Sequence, residues 1–242
     1  MAAAMQITFA SYNIHKAVGL DGKRDPERII RVLHELSADV VALQEADLRF
    51  GDRAAVLPRA LLEEAHWQVV PVAERARSMG WHGNALLVRR GIDVVDAGRI
   101  ALPALEPRGA VRAQLALEGR AFCVAGMHLD LSGLLRRRQI ATVCATMRGG
   151  GASVMPRALP CVMLGDLNEW AARGGALRAF GQDWEVLDPG RSFPTTRPLA
   201  SLDRVICSTG HWRMQSCEVH HSALAVIASD HLPVRATLTL TA

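Results

Sequence analysis

Of 242 residues only two are lysine, Lys16 and Lys23, one is tyrosine, and aromatic side chains make up 5%. The positive charge is almost entirely arginine, so a net charge of +4 reflects residue usage as readily as a polyanionic partner. Cysteine is sparse: Cys123, Cys144, Cys161, Cys207 and Cys217 are odd in number, widely spaced and without a CxxC pair. They read as buried free thiols in a reducing compartment. No apolar run approaches the roughly 18 residues of a membrane span. The first residues lack a basic region followed by a long apolar stretch, which argues against a secretory signal. A soluble cytoplasmic protein is expected. Also missing are GxSxG, HExxH, a Walker loop and GxGxxG, which removes support for serine esterases, zincins and nucleotide-triphosphate motors.

What remains is half hydrophobic and 21% charged, enough apolar surface for a sizeable core. Strand and helix signals alternate without repeats. Strands are expected at residues 5–14, 40–43, 67–73, 85–89, 111–117, 121–127, 159–164, 204–207 and 233–240. Asp25 as N-cap and Pro26 at the first helical position open a helix with Ile29, Ile30, Leu33 and Leu36 on one face. A second helix spans 136–147 and stops at Gly149-Gly150-Gly151, with Arg136-Arg137-Arg138 as a solvated face. That glycine loop is the one plausible linker, and a cut there would divide the motifs described next, so residues 1–242 are read as a single domain.

Polar side chains gather where strands begin or end: Asn13 with His15, Gln44-Glu45, His128 with Asp130, the segment 165–168, Ser201–Arg204, and Ser229-Asp230-His231. Taken singly, each is an ordinary cap or turn. Taken together they suit one cleft at the open end of a sheet, where polar groups escape burial. A hard divalent cation such as Mg²⁺ favours carboxylate and amide oxygens with several waters, which suits Glu45 with help from Asn13, Asp166 or Asp230. Histidines and an aspartate suit proton transfer near neutral pH.

In order, YNIH (12–15), LQE (43–45), GNALL (83–87), PRGA (107–110), MHLD (127–130), GDLN (165–168), LDRV (202–205) and SDH (229–231) resemble the endonuclease/exonuclease/phosphatase superfamily, the deoxyribonuclease I-like fold. The resemblance implies a four-layer α/β sandwich: two mixed, mainly antiparallel sheets packed face to face, helices outside, and a divalent-metal site at one edge. It implies Glu45 as principal metal ligand with Asn13 beside it, and Asp230 as a metal-side carboxylate. Asp166 and Asn168 would contact the attacking water and the phosphate. His231 would be the catalytic histidine held by Asp203, and His128 would touch the phosphate or leaving group. His15 departs from the aspartate of several nuclease relatives and points to phosphate contact or to Mn²⁺. A carboxylate partner for His128 is not evident; Glu74 is a candidate by elimination. Arg108 is either a phosphate clamp or a structural ion pair, Asn84 reads as a turn residue, and His82 is expected to face away from the cleft.

The chemistry agrees with this carry-over. A phosphodiester repels an anionic nucleophile, so a metal on Glu45 with Asn13, Asn168 and a protonatable His128 would neutralise the non-bridging oxygens. Asp166 or the Asp203–His231 pair would take the water's proton. The expected function is metal-dependent phosphodiester hydrolysis, nucleic acid being one candidate substrate. A phosphomonoesterase or lipid-headgroup hydrolase is the alternative, and a non-catalytic binding module a third. Nothing in the chain calls for an obligate protein partner.

Overall fold

A computed structural model describes residues 5–104, 108–149 and 159–241. Pro107, Gly150 and Gly151 of the segments named above lie outside them. In chain order the described elements are β1 (Gln6–Asn13), α1 (Pro26–Leu36), β2 (Val40–Gln44), α2 (Arg59–Glu64), β3 (Trp67–Val69), β4 (Ala85–Arg89), β5 (Asp93–Ile100), β6 (Gly109–Leu117), β7 (Arg120–His128), α3 (Gly133–Met147), β8 (Cys161–Asp166), β9 (Trp184–Leu187), β10 (Asp203–Ser208), β11 (Trp212–Val219), α4 (Ala223–Ala228) and β12 (Val234–Leu240).

They form two six-stranded sheets, ordered β11-β12-β1-β2-β4-β3 and β5-β6-β7-β8-β10-β9. Each sheet holds one parallel pair, β1–β2 and β7–β8, and is otherwise antiparallel. Strand alternation sends one face of each sheet inward. Ile7, Phe9, Val40 and Leu86 from the first sheet meet Val111, Phe122, Val162 and Val205 from the second in a common core. Phe9, Phe122 and Trp212 lock edge to face, their ring centroids 5.6 to 6.2 Å apart. The outer face of the first sheet is covered by α1, α2 and α4, and that of the second by α3 and a 3-10 turn at Gly175–Phe180. This is the expected four-layer sandwich.

The local signals act as anticipated at α1. Asp25 Oδ1 accepts from Arg28 N at 2.9 Å, and the helix ends where Ser37 turns left-handed. The arginine run is a correction. Arg137 and Arg138 are exposed, but Arg136 is buried, donating to the carbonyls of Asp130 and Leu131 and pairing with Glu169 at 3.3 Å. The strand expected at 67–73 stops at Val69, whereas β5, β9 and β11 had no anticipated counterpart. All five cysteines are free, four of them buried and Cys217 half-buried. No helix among the described residues is long and apolar enough to cross a membrane.

Candidate active site

The topology brings the polar segments to one rim. β1, β2, β7 and β8 end there, whereas β6, β10 and β12 run antiparallel to their neighbours and begin there. Asn13 is the register partner of Gln44, so Glu45 leaves β2 beside it. In the second sheet Asp166 lies between His128 on one side and Asp203 on the other, and Gly109, next to Arg108, opposes His128. Asn13 Nδ2 donates to Asp166 Oδ2 at 3.0 Å, a buried hydrogen bond that joins the two sheets. Asn168, in a left-handed conformation, donates its backbone N–H to Asp166 Oδ1 at 2.9 Å and its amide to Leu129 O. Its side chain thereby holds the Asp166 loop. Gly165 is forced by space: a Cβ there would stand 1.9 Å from Met127 O. Gly165→Ala is expected to cost about 2 kcal/mol or more and lower Tm by about 5 °C, readable by thermal melting.

His231 and His128 are both buried and have opposite charge states. His231 Nδ1 donates to Asp203 Oδ2 at 2.9 Å, and Ser192 Oγ donates to the same oxygen at 2.5 Å. Burial alone would favour neutral His231, but Asp203 and Asp166 override it and raise its pKa to about 10, leaving an imidazolium whose Nε2 lies 3.7 Å from Asp166 Oδ2. The Phe193 ring stacks on it at 4.7 Å between centroids. For His128, burial is the leading influence; Arg108 reinforces it, Asp166 opposes it, and the pKa falls to about 3. Arg108 Nη1 donates to His128 Nε2, which fixes the ring as a neutral acceptor. The 3.4 Å approach of Asp166 is therefore not an ion pair. A protonatable His128 is expected, but its lowered pKa keeps it neutral, and the positive charge at this position belongs to Arg108. Glu74 is not its partner, being exposed and 3.6 Å from Arg99.

A cleft of about 520 Å³ open to solvent adjoins this rim, lined among others by Glu45, Arg108 and His128. His82 also lines it, contrary to expectation, and so does Lys16, which pairs with Glu45 and which the sequence did not flag. Both adopt left-handed turns, which carry no periodic signal. Ser192 was likewise missed. His15 and Asp230 stand at the rim, 4.0 Å apart, with His15 Nδ1 also 3.1 Å from Val18 O. Ser229 Oγ ties this turn to Asn13 O at 2.7 Å. Asp130 belongs instead to the start of α3, where its Oδ1 accepts from Ser132 N.

Two groupings bear on metal binding. Asp166, Asp203 and His231 place ligand atoms within 4.8 Å of one another. Asp203 Oδ2 is already committed to His231 and Ser192, so this trio is better suited to holding a proton than an ion. Glu45, Asn13 and Asp166 instead offer the hard oxygen donors that a Mg²⁺-like cation takes, and Glu45 reaches the cleft. The donor set fits such an ion once Lys16 is displaced from Glu45.

Comparison with known proteins agrees with the architecture. The uncharacterized protein YbhP of Escherichia coli is 26% identical over 216 residues, covering 80% of this chain and 81% of YbhP. An endonuclease/exonuclease/phosphatase family protein from Bacteroides thetaiotaomicron superposes with a TM-score of 0.76 at 18% identity, covering 99% of both chains. The human Nocturnin catalytic domain with bound sulfate gives 0.72 at 20% identity, covering 98% of this chain and 95% of its own. A family model described as the Endonuclease/Exonuclease/phosphatase family matches residues 10–231, from β1 to the turn before β12, and the chain belongs to that family of phosphoester hydrolases.

Proposed function

We propose that the chain is a divalent-metal-dependent phosphodiesterase and that residues 1–242 act as one unit, because both sheets supply the site. The observation that carries this reading is the buried Asp166 carboxylate flanked by the Asn13 amide and the His231 imidazolium. Asp166 accepts the proton of the attacking water. The new P–O bond forms opposite the leaving oxygen, whose P–O bond breaks. His231, kept cationic by Asp203, donates from Nε2 to the charge developing on the phosphoryl or leaving oxygen. Arg108 neutralises a non-bridging oxygen, while His128 accepts its N–H and sets its direction. Asn168 acts through the Asp166 loop. The separate turns carrying His15 and Asp230 flank the substrate, and the second of them places His231. A cation held by Glu45 and Asn13, Mg²⁺ or Mn²⁺, supplies Lewis-acid stabilisation of the phosphate when bound. Free cysteines, with Cys123 and Cys161 as neighbours in register, fit a cytoplasmic location.

The test is hydrolysis of bis(p-nitrophenyl) phosphate and plasmid DNA with Mg²⁺ or Mn²⁺. Turnover that stops with EDTA and returns with the metal is expected. Turnover of phosphomonoesters or lipid headgroups with diesters left intact would move the chain to the phosphatase reading. Inertness toward every phosphoester would make it a binding module.

A further inference from the structure

The cleft beside Glu45 is lined by more cationic than acidic side chains, the acids being Glu45 and Asp47. Its walls carry Arg49, Arg53, His82 and Arg108, with Lys16 beside Glu45, and no Phe, Tyr or Trp among the described lining residues.

The cationic side chains stand on a stitched scaffold, not on independent surface loops. Residues 47–55 form a small loop closed by a bridge between Asp47 and Ala55 and by Leu48 N donating to Ala54 O at 2.9 Å. The buried Asp47 carboxylate accepts from Met79 N and Ser78 Oγ, both at 2.7 Å, and from Gly80 N at 3.2 Å. That fixes the segment leading to His82. Asn84 closes a bridge to Trp81 and donates Nδ2 to Gly109 O at 3.0 Å, which fixes the residue after Arg108. Gly109 packs so tightly that a Cβ would stand 2.7 Å from the Trp81 ring. Arg53 Nη1 donates to His82 Nδ1 at 2.8 Å. A guanidinium only donates, so the His82 proton resides on Nε2 and the ring is a second donor. Three loops thus present a donor-rich wall held by two buried side chains, an arrangement suited to the planar, bidentate recognition of phosphate.

The geometry points to a second-phosphate subsite: Arg53 and His82, with Arg49, hold a phosphate group that the substrate carries beyond the scissile one. The substrate class is therefore a phosphodiester that carries a second phosphate, either a nucleic-acid strand or a small molecule. The inference rests on the phosphodiesterase reading for the position of the scissile group.

The test uses protein carrying Asp166→Asn, so that no ligand is consumed, in magnesium buffer. Calorimetric affinities are compared for adenosine 3′,5′-bisphosphate, adenosine 5′-monophosphate and a single-stranded tetranucleotide. The bisphosphate is expected to bind about tenfold or more tightly than the monophosphate, as one charge-assisted bidentate contact provides. Adding Arg53→Ala should bring that ratio close to one. Arg53→Lys should recover only part of it, since charge returns without the fork. Arg49→Ala is the second variant should Arg53→Ala fail to fold. Tighter binding of the tetranucleotide than of the bisphosphate would identify a strand; the reverse would identify a small molecule. Equal affinity for mono- and bisphosphate, or a preference that survives both alanine variants, overturns the subsite. Failure of the protein with Asp166 intact to hydrolyse any diester, with the bisphosphate preference still present, would instead remove the phosphodiesterase reading and leave the subsite standing.

Discussion

Asp166→Asn is expected to lower kcat on a diester substrate by about 10³-fold with little change in KM, combining loss of the proton acceptor with loss of an anion aligned by three neighbours. Asp166 Oδ2 receives Asn13 Nδ2 at 3.0 Å and lies 3.7 Å from the cationic His231, while Oδ1 is held by Asn168 N. Asparagine preserves the size of the side chain and the Asn168 contact but cannot take a proton at neutral pH. Steady-state kinetics beside a thermal melt separates this from misfolding. A folded variant retaining more than a tenth of wild-type turnover would remove Asp166 from the proposed chemistry.

The second expectation concerns pH. His231 has its pKa raised to about 10 because Asp203 and Asp166 outweigh burial. Activity that depends on the imidazolium should hold through neutral pH and fall as pH rises through about 10. The same pair contributes folding stability that is fully present below the unfolded value of about 6.5 and lost as pH passes the folded value. Asp203→Asn removes the leading carboxylate, so the alkaline limb of the rate profile should move toward neutrality, while His231→Gln should lower kcat by about 10²-fold at pH 7. A shifted limb with a normal fold is a signature that loss of packing does not produce. An unchanged alkaline limb in Asp203→Asn would refute the assignment.

How legible the molecule is in its sequence depends on where each residue sits. Apolar runs such as those of β1, β2, β7 and β8 are central strands buried on both sides, and the polar residues that end them, Asn13, Glu45, His128 and Asp166, stand out by contrast. β5, β9 and β11 escape because they are edge strands: Asp93–Ile100 and Trp212–Val219 break their apolar residues up with exposed charged and polar ones. Lys16 and His82 escape because a left-handed turn has no repeating pattern to read. The charge of His128 is invisible for another reason. It is set first by burial and then by Arg108, twenty positions earlier in the chain and adjacent only once β6 has folded back along β7.

The pairing of the first strand with the last has a consequence for synthesis. Gln6 sits opposite Thr239, and Ser11 opposite Val234, so β1 waits for about 220 further residues before its ladder with β12 can close. A nascent chain stalled before Asp203 carries Asn13, Glu45 and Asp166 but neither member of the Asp203–His231 pair. The aspartate–histidine contact, and with it the completed rim, exists only once His231 has been made and has folded back against β10.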